Sequence, residues 1–195
     1  IHSDVWGPTH NVSIEGSRYF VTLIDDFTRH TWACLIAKKS EVCACFLKVK
    51  SHAERETICK IKCLRSDGTE YFSDQFTSYL QKEEFDANSR VDTRRSRTVW
   101  PSGGIRQLKK QQAMLEEKHM PKFYWAEAVR TTFYLQNQTF ANRGVSPHEL
   151  YFGKKPNLAH LRIIGNIAYV HVSKEKRKEL DTKAEKCILV EYLEE

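Results

Sequence analysis

The sequence contains no long apolar segment and no signal-peptide pattern. No apolar run approaches the roughly 18 residues that a membrane-spanning helix needs, which argues against an integral membrane protein. The first eight residues include His2 and Asp4 among apolar ones, unlike the opening of a secretory signal peptide. We therefore expect a chain without membrane contacts that resides in the nucleus or the cytoplasm.

Paired-cysteine motifs are also missing. None of the six cysteines forms a C-x-x-C pair, and no histidine and cysteine pairs stand at zinc-ligand spacing, which argues against a structural zinc site. The sequence instead predicts that most of these thiols are buried and lie in a reducing compartment. The cysteines are Cys34, Cys43, Cys45, Cys59, Cys63 and Cys187.

The overall composition is ordinary for a soluble globular protein. Of the 195 residues, 41% are hydrophobic and 29% are charged, and this length suits one medium domain with a small one. The net charge of +6 and the pI of about 9.0 favour a polyanionic partner such as nucleic acid. A lysine-rich surface without such a partner explains the same charge equally well.

The first part of the chain shows strand and helix patterns in turn. Aromatic and β-branched residues predict strands over 1–5, 18–24 and 31–37, and the short links between them predict an antiparallel meander. Apolar residues then recur at spacings of three and four, which predicts a helix from an N-cap at Ser40 to about Arg55.

Residues 58–64 alternate as a fourth strand, and Asp67 follows the end of that strand. A strand that comes after a helix can join the sheet in parallel. The sequence therefore predicts an α/β fold whose mixed sheet combines a three-strand antiparallel meander with parallel strands and is flanked by helices.

The second part predicts further helices and then a small β unit. Helical patterns cover 73–82, 106–118 and the segment from Pro121 to about Gln136. The predicted organisation is a core domain over 1–145, a linker over 146–157 and a β unit over 158–195 with strands at 166–172 and 186–192.

Two carboxylates are candidates for a metal site. Asp4 lies on the first predicted strand and Asp67 just past the fourth, so the two converge if these strands are neighbours. Carboxylate oxygens are the ligands that Mg²⁺ prefers, although spacing alone favours a turn or cap role for each Asp taken separately. Asp25 and Asp26 form a rival pair, but their position between two strands indicates a turn.

Six segments, spread in order over almost the whole chain, carry a specific pattern. They are Ile-His-Ser-Asp-Val-Trp-Gly-Pro (1–8), Ser-Arg-Tyr-Phe-Val-Thr-Leu-Ile-Asp-Asp-Phe-Thr-Arg (17–29), Leu-Arg-Ser-Asp (64–67), Phe-Tyr-Trp-Ala-Glu-Ala-Val (123–129), Pro-Asn-Leu-Ala-His-Leu-Arg-Ile-Ile-Gly (156–165) and Lys-Cys-Ile-Leu-Val-Glu-Tyr (186–192). The pattern resembles the catalytic core of copia-type retrotransposon integrases.

This resemblance implies an RNase H-like core followed by the start of an SH3-like barrel. It also implies a DNA strand transferase that uses an Asp, Asp, Glu triad on Mg²⁺ or Mn²⁺, acts on element ends and target DNA, and forms a homo-oligomer. Asp4 matches the first triad position and Asp67 the second.

The third acid is missing. The family motif places a Glu near Pro101 and Ser102, but no carboxylate occurs from Thr93 to Leu115. Residues 92–105 can be encoded by codons that also contain the family motif in another reading frame. When each codon is read one base earlier, the same bases encode Tyr-Thr-Pro-Gln-Gln-Asn-Gly-Val-Ala-Glu-Arg-Arg-Asn. The sequence therefore predicts that a frameshift removed this Glu and left an inactive copy.

The frameshift hypothesis also changes how the basic residues nearby are interpreted. The arginines at 90, 94, 95 and 97 would otherwise suggest phosphate contacts, but out-of-frame codons explain them. Lys109 and Lys110 lie in a helix that approaches DNA in the family, so they remain nucleic-acid-binding candidates beside a solvated helix face. Three hypotheses stay open: an active integrase core, a degenerate non-catalytic fragment, and a DNA-binding or scaffolding module recruited by the host. The missing acid favours the degenerate fragment.

Overall fold

The structure is a computed structural model that describes residues 1–66, 113–139, 144–178 and 182–192. Its centre is a four-stranded sheet in the order β3-β2-β1-β4. The antiparallel meander consists of β1, β2 and β3, and β4 pairs with β1 in parallel, so the predicted mixed sheet is confirmed. The strands are β1 (His2–Trp6), β2 (Tyr19–Ile24), β3 (Thr31–Ile36) and β4 (Arg65–Ser66).

One helix packs on each face of the sheet because neighbouring residues of a strand point to opposite sides. On β2, Val21 and Leu23 pack against helix α1 (Val42–Thr57), whereas Phe20 packs against helix α2 (Trp125–Gln138) on the other face. Residues 113–117 are also helical and contribute the buried Leu115 to the α2 side. The strands are therefore held between two apolar layers.

A buried amide joins α2 to the outer edge of the sheet. Asn137 is 1% exposed, accepts a hydrogen bond from the backbone N–H of Thr31 at 2.9 Å and donates one to the carbonyl of Thr31 at 2.9 Å. These backbone groups lie on the outer side of β3, which has no neighbouring strand among the described residues. The side chain of Asn137 therefore satisfies the backbone N–H and carbonyl of Thr31, as a further strand would.

Two local predictions are wrong. Ser40 does not cap α1, because residues Lys39–Glu41 form a 3₁₀ turn and the helix begins at Val42. Residues 58–64 do not form a strand, because Ile58 is the exposed C-cap of α1 and only Leu64 reaches the core. The sheet begins to pair just afterwards, where the N–H of Arg65 donates to the carbonyl of Ile1 at 2.8 Å.

The segment expected to be a linker contains a helix, α3 (Pro147–Phe152). Ser146 caps it by accepting a hydrogen bond from the Glu149 N–H at 3.1 Å, and Gly153 ends it with φ 71. The imidazole of His30 stacks on the ring of Tyr151 with centroids 4.5 Å apart. This stretch is therefore packed on the sheet rather than extended between two units.

The second β unit is an antiparallel pair, β5 (Ile167–His171) and β6 (Ala184–Ile188). The chain around it contacts α2. Arg130 bonds Glu191 at 3.3 Å, and the ring of Tyr134 stacks on that of Tyr192 at 5.2 Å.

The strand predicted at 166–172 is confirmed as β5. The strand predicted at 186–192 is confirmed as β6, but it begins earlier, at Ala184, and ends earlier, at Ile188. The helix expected over 73–82 lies outside the described residues, as does the first part of the one expected over 106–118.

Candidate functional site

Asp4 lies in the middle of β1 at an exposed position of the strand. Its backbone is fixed by β2, since it pairs with Thr22 and its carbonyl accepts a hydrogen bond from the Thr22 hydroxyl at 3.4 Å. The preceding Ser3 is buried and donates its hydroxyl to the Thr22 carbonyl at 3.0 Å. The sheet therefore presents the first candidate acid on a rigid strand.

Strands β1 and β4 pair in parallel in a defined register. Ser3 lies opposite Ser66, and both serines are buried. In the sequence, Ser3 is followed by Asp4 and Ser66 by Asp67. The two residues immediately before the candidate acids are therefore neighbours on adjacent parallel strands.

The other predicted site residues lie outside the described part of the chain. These are Asp67, the missing-acid position at Pro101 and Ser102, and the basic candidates Lys109 and Lys110. Among the described residues, no group of three His, Cys, Asp or Glu side chains comes together as a metal site would require. Glu116 and Glu117 are exposed and belong to no such group.

Asp25 and Asp26 stabilise the β2–β3 turn, as predicted. The Asp25 carboxylate accepts hydrogen bonds from the Thr28 N–H at 2.8 Å and the Thr28 hydroxyl at 2.7 Å. Asp26 contacts His2 at 3.1 Å and Arg29 at 3.2 Å. Arg29 adopts a left-handed φ of 64, so this side-chain network holds a strained hairpin corner.

Sequence reasoning did not find a cavity of about 900 Å³ at the opposite edge of the sheet. It lies beside β3 and between α1 and α2, and its wall includes Cys34, Cys45, Lys48 and Arg130. The prediction that most cysteines are buried is wrong, because Cys45 alone of the six is buried and Cys59 is exposed. The cavity joins β3 and α1, which are consecutive, to the sequence-distant α2, so no local pattern could have indicated it.

Comparison with known proteins relates the chain to polyproteins of plant transposons. A retrovirus-related Pol polyprotein from transposon TNT 1-94 of Nicotiana tabacum is 34% identical over 207 residues, covering 100% of this chain and 15% of the polyprotein. One from transposon RE1 of Arabidopsis thaliana is 29% identical over 202 residues, covering 98% of this chain and 13% of the polyprotein. The chain thus spans only a small part of these relatives. Residues 166–195 match the retroviral polymerase SH3-like domain.

Solved structures share the fold. The integrase catalytic core domain of HTLV-2 in complex with magnesium has a TM-score of 0.53 at 13% identity, covering 77% of this chain and 93% of that one. The chain is related to the retrovirus-related Pol polyproteins of plant transposons and has the fold of integrase catalytic core domains. A chain of the simian T-cell lymphotropic virus intasome has a TM-score of 0.53 at 14% identity, covering 96% of this chain and 66% of that one. The family resemblance of the sequence is thereby confirmed.

No helix among the described residues of this chain has the length and apolar character needed to span a membrane.

Proposed function

We propose that this chain descends from an enzyme of DNA integration and has lost the strand-transfer reaction. The register of Ser3 opposite Ser66 carries the first half of the proposal, because it supports a site built from Asp4 and Asp67. The absence of any carboxylate from Thr93 to Leu115 carries the second half. In such an enzyme the 3′ hydroxyl of the element's DNA attacks a phosphodiester of the target DNA.

The donor chemistry fits a divalent ion only in part. Asp4 and Asp67 would hold Mg²⁺ or Mn²⁺, because carboxylate oxygens on a rigid sheet suit these hard cations. The HTLV-2 core of the same fold binds magnesium. When bound, such ions supply charge stabilisation to the attacking and leaving oxygens of phosphoryl transfer. With the third acid replaced by Pro101 and Ser102, the chain lacks a ligand that a pair of metals requires.

Among the described residues, no acid is placed to take over from the missing one. Glu116 and Glu117 stand 14 and 15 residues after Ser102, which corresponds to about 21 Å along a helix and far exceeds a metal-ligand distance. Asp25 and Asp26 are occupied by the hairpin turn. The loss of one ligand therefore has no evident compensation, and we expect most of the rate of transfer to be lost.

A strand-transfer assay with the 195-residue chain, labelled element-end DNA and Mg²⁺ or Mn²⁺ tests this proposal. We expect no product above a control without protein. A repaired chain, in which residues 93–105 are replaced by the thirteen-residue family motif given above, should regain transfer. The matched control carries the same replacement with Gln in place of its Glu, and it should stay inactive because Gln is a weaker, neutral ligand.

One result would contradict the proposed inactivity: strand transfer by the unmodified chain that is abolished in the Asp4→Ala variant. Sequencing the bases that encode residues 88–112 gives an independent check. Codons that cannot produce the family motif in another frame would remove the frameshift explanation while leaving the missing acid in place.

The alternative function is a non-catalytic nucleic-acid-binding or scaffolding module derived from an integrase. The net charge of +6 supports it, and so do the adjacent lysines Lys109 and Lys110. In this proposal the partners are element-end and target DNA and a second copy of the chain, in the nucleus or the cytoplasm. The division into a core over 1–145, a linker over 146–157 and an SH3-like unit over 158–195 belongs to the same proposal.

A further inference from the structure

Two thiols from different elements meet in the wall of the cavity beside β3. Cys34 lies on the edge strand β3 and is half-buried, and Cys45 lies in the second turn of α1 and is buried. Both pack in the same apolar cluster, and both line the cavity of about 900 Å³. Their thiols are near enough for each to shift the pKa of the other. The cavity gives small reagents a path to the pair.

The surroundings distinguish the two sulfurs. The hydrogen bond from Cys45 lowers the pKa of the Cys34 thiol, and the positive charges of Lys48 and Arg130 lower it further against the effect of burial. The same hydrogen bond, together with burial, raises the pKa of the Cys45 thiol. Cys34 therefore loses its proton first, and the thiolate is the nucleophilic form of cysteine.

We propose that Cys34 and Cys45 form a redox-active dithiol site that takes low-molecular-weight disulfides such as oxidised glutathione. The Cys34 thiolate attacks one sulfur of oxidised glutathione, which forms a mixed disulfide and releases one glutathione thiolate. Cys45 then gives its proton to solvent and attacks the Cys34 sulfur, which releases the second glutathione. The two protein thiols are oxidised to one disulfide while one oxidised glutathione is reduced to two thiols.

The product links the edge strand to the helix that covers it. The two sulfur atoms must approach to about 2.05 Å for the bond to form. The bond closes a short loop between β3 and α1 and fixes one side of the cavity. This chemistry uses none of the residues proposed for DNA integration, so its outcome is independent of the strand-transfer assay.

The test is peptide mapping of the full chain after titration with oxidised glutathione and alkylation of the remaining thiols. We expect one cross-link, between Cys34 and Cys45, with the other four cysteines alkylated. Cys45→Ala should stop at the mixed disulfide on Cys34, because no second thiol is within reach. Cys43→Ser is the matched control, since Cys43 lies on the same helix and is half-buried, and it should leave the cross-link unchanged.

The pH dependence of Cys34 alkylation gives a readout that needs no cross-link. Its midpoint should lie below that of a free cysteine, about 8.5, and should rise in Lys48→Gln, which changes an exposed side chain. Cross-links among other cysteines at comparable yield would overturn the proposal. So would a Cys45→Ala chain in which Cys34 acquires no glutathione although circular dichroism shows a native fold.

Discussion

Ile58 adopts a backbone conformation that suits its side chain poorly. It ends α1 with φ 56 and ψ 16, in the left-handed region, and its side chain is 93% exposed. The left-handed conformation costs an L-residue about 1–2 kcal/mol, and β-branched residues adopt it rarely. Because the side chain of Ile58 is almost fully exposed, burial of apolar surface does not offset this cost.

Replacing Ile58 by glycine should therefore stabilise the chain. We expect Ile58→Gly to raise the free energy of unfolding by about 1 kcal/mol, since glycine is the preferred residue at a left-handed helix end. Urea denaturation followed by circular dichroism measures the change. Ile58→Val keeps the β-branch and should leave stability unchanged, and a glycine variant no more stable than this control contradicts the prediction.

At the scale of elements, helix α3 docks on β3 through a buried histidine. His30 is 2% exposed, stacks on Tyr151 and meets the rings of Trp32 and Phe152 edge-on. Its Nδ1 atom has no hydrogen-bond partner within the described part of the chain. Burial lowers the pKa of His30 to about 4, with a smaller contribution from the positive charge of His148. The folded chain therefore favours neutral imidazole.

Acid should weaken this docking. The pKa of His30 is about 4 in the folded chain and 6.5 in the unfolded chain. The folding stability that depends on neutral, buried His30 is therefore fully present above pH 6.5 and is lost as the pH falls towards 4. This shift in the pKa of His30 corresponds to a loss of roughly 3 kcal/mol at most in the free energy of unfolding. His30→Phe keeps a stacking ring without a titratable group.

We expect the free energy of unfolding of His30→Phe to fall less steeply than that of the unmodified chain between pH 6.5 and 4. Denaturation at a series of pH values measures the difference. His10→Phe removes an exposed histidine and should keep the original slope. Equal slopes for all three chains would show that His30 is not the group responsible.

Taken as a whole, the molecule joins its two units through α2. Arg130 bridges Glu15, in the loop before β2, at 2.8 Å and Glu191, beyond β6, at 3.3 Å. Tyr134 adds a 2.7 Å hydrogen bond between its hydroxyl and the His160 ring. These contacts join the described part of the β unit to the core.

DNA binding should depend on salt. If the alternative function holds, the logarithm of affinity falls linearly with the logarithm of salt concentration, because phosphate contacts release counterions. Changing both Lys109 and Lys110 to Gln should reduce the magnitude of that slope by about 2. Fluorescence anisotropy with duplex DNA at several salt concentrations measures it.

The matched control changes Lys154 and Lys155 to Gln, which removes the same charge from a second adjacent pair that is exposed. It should alter the slope less than the change at Lys109 and Lys110. Equal effects of both pairs would indicate only a general attraction by net charge, and an affinity independent of salt would exclude phosphate contacts.

Several features followed from local order along the chain. Aromatic and β-branched residues over 18–24 and 31–37 predicted the strands of the meander, and helical spacing after Pro121 predicted α2. Strand position identified Asp4 and Asp67 as candidate acids, and the family resemblance located the third position, where no carboxylate remains. The strand and helix predictions need no distant partner, because each rests on neighbours along the chain.

Contacts between separate segments could not be predicted from local patterns. The fourth strand begins at Arg65 instead of Ile58, Ser3 lies opposite Ser66, and a helix docks within the segment expected to be a linker. Cys34 and Cys45 also come together in the fold. Pairing and packing depend on which surfaces the whole chain buries, and a local periodicity carries no information about the partner on the other side.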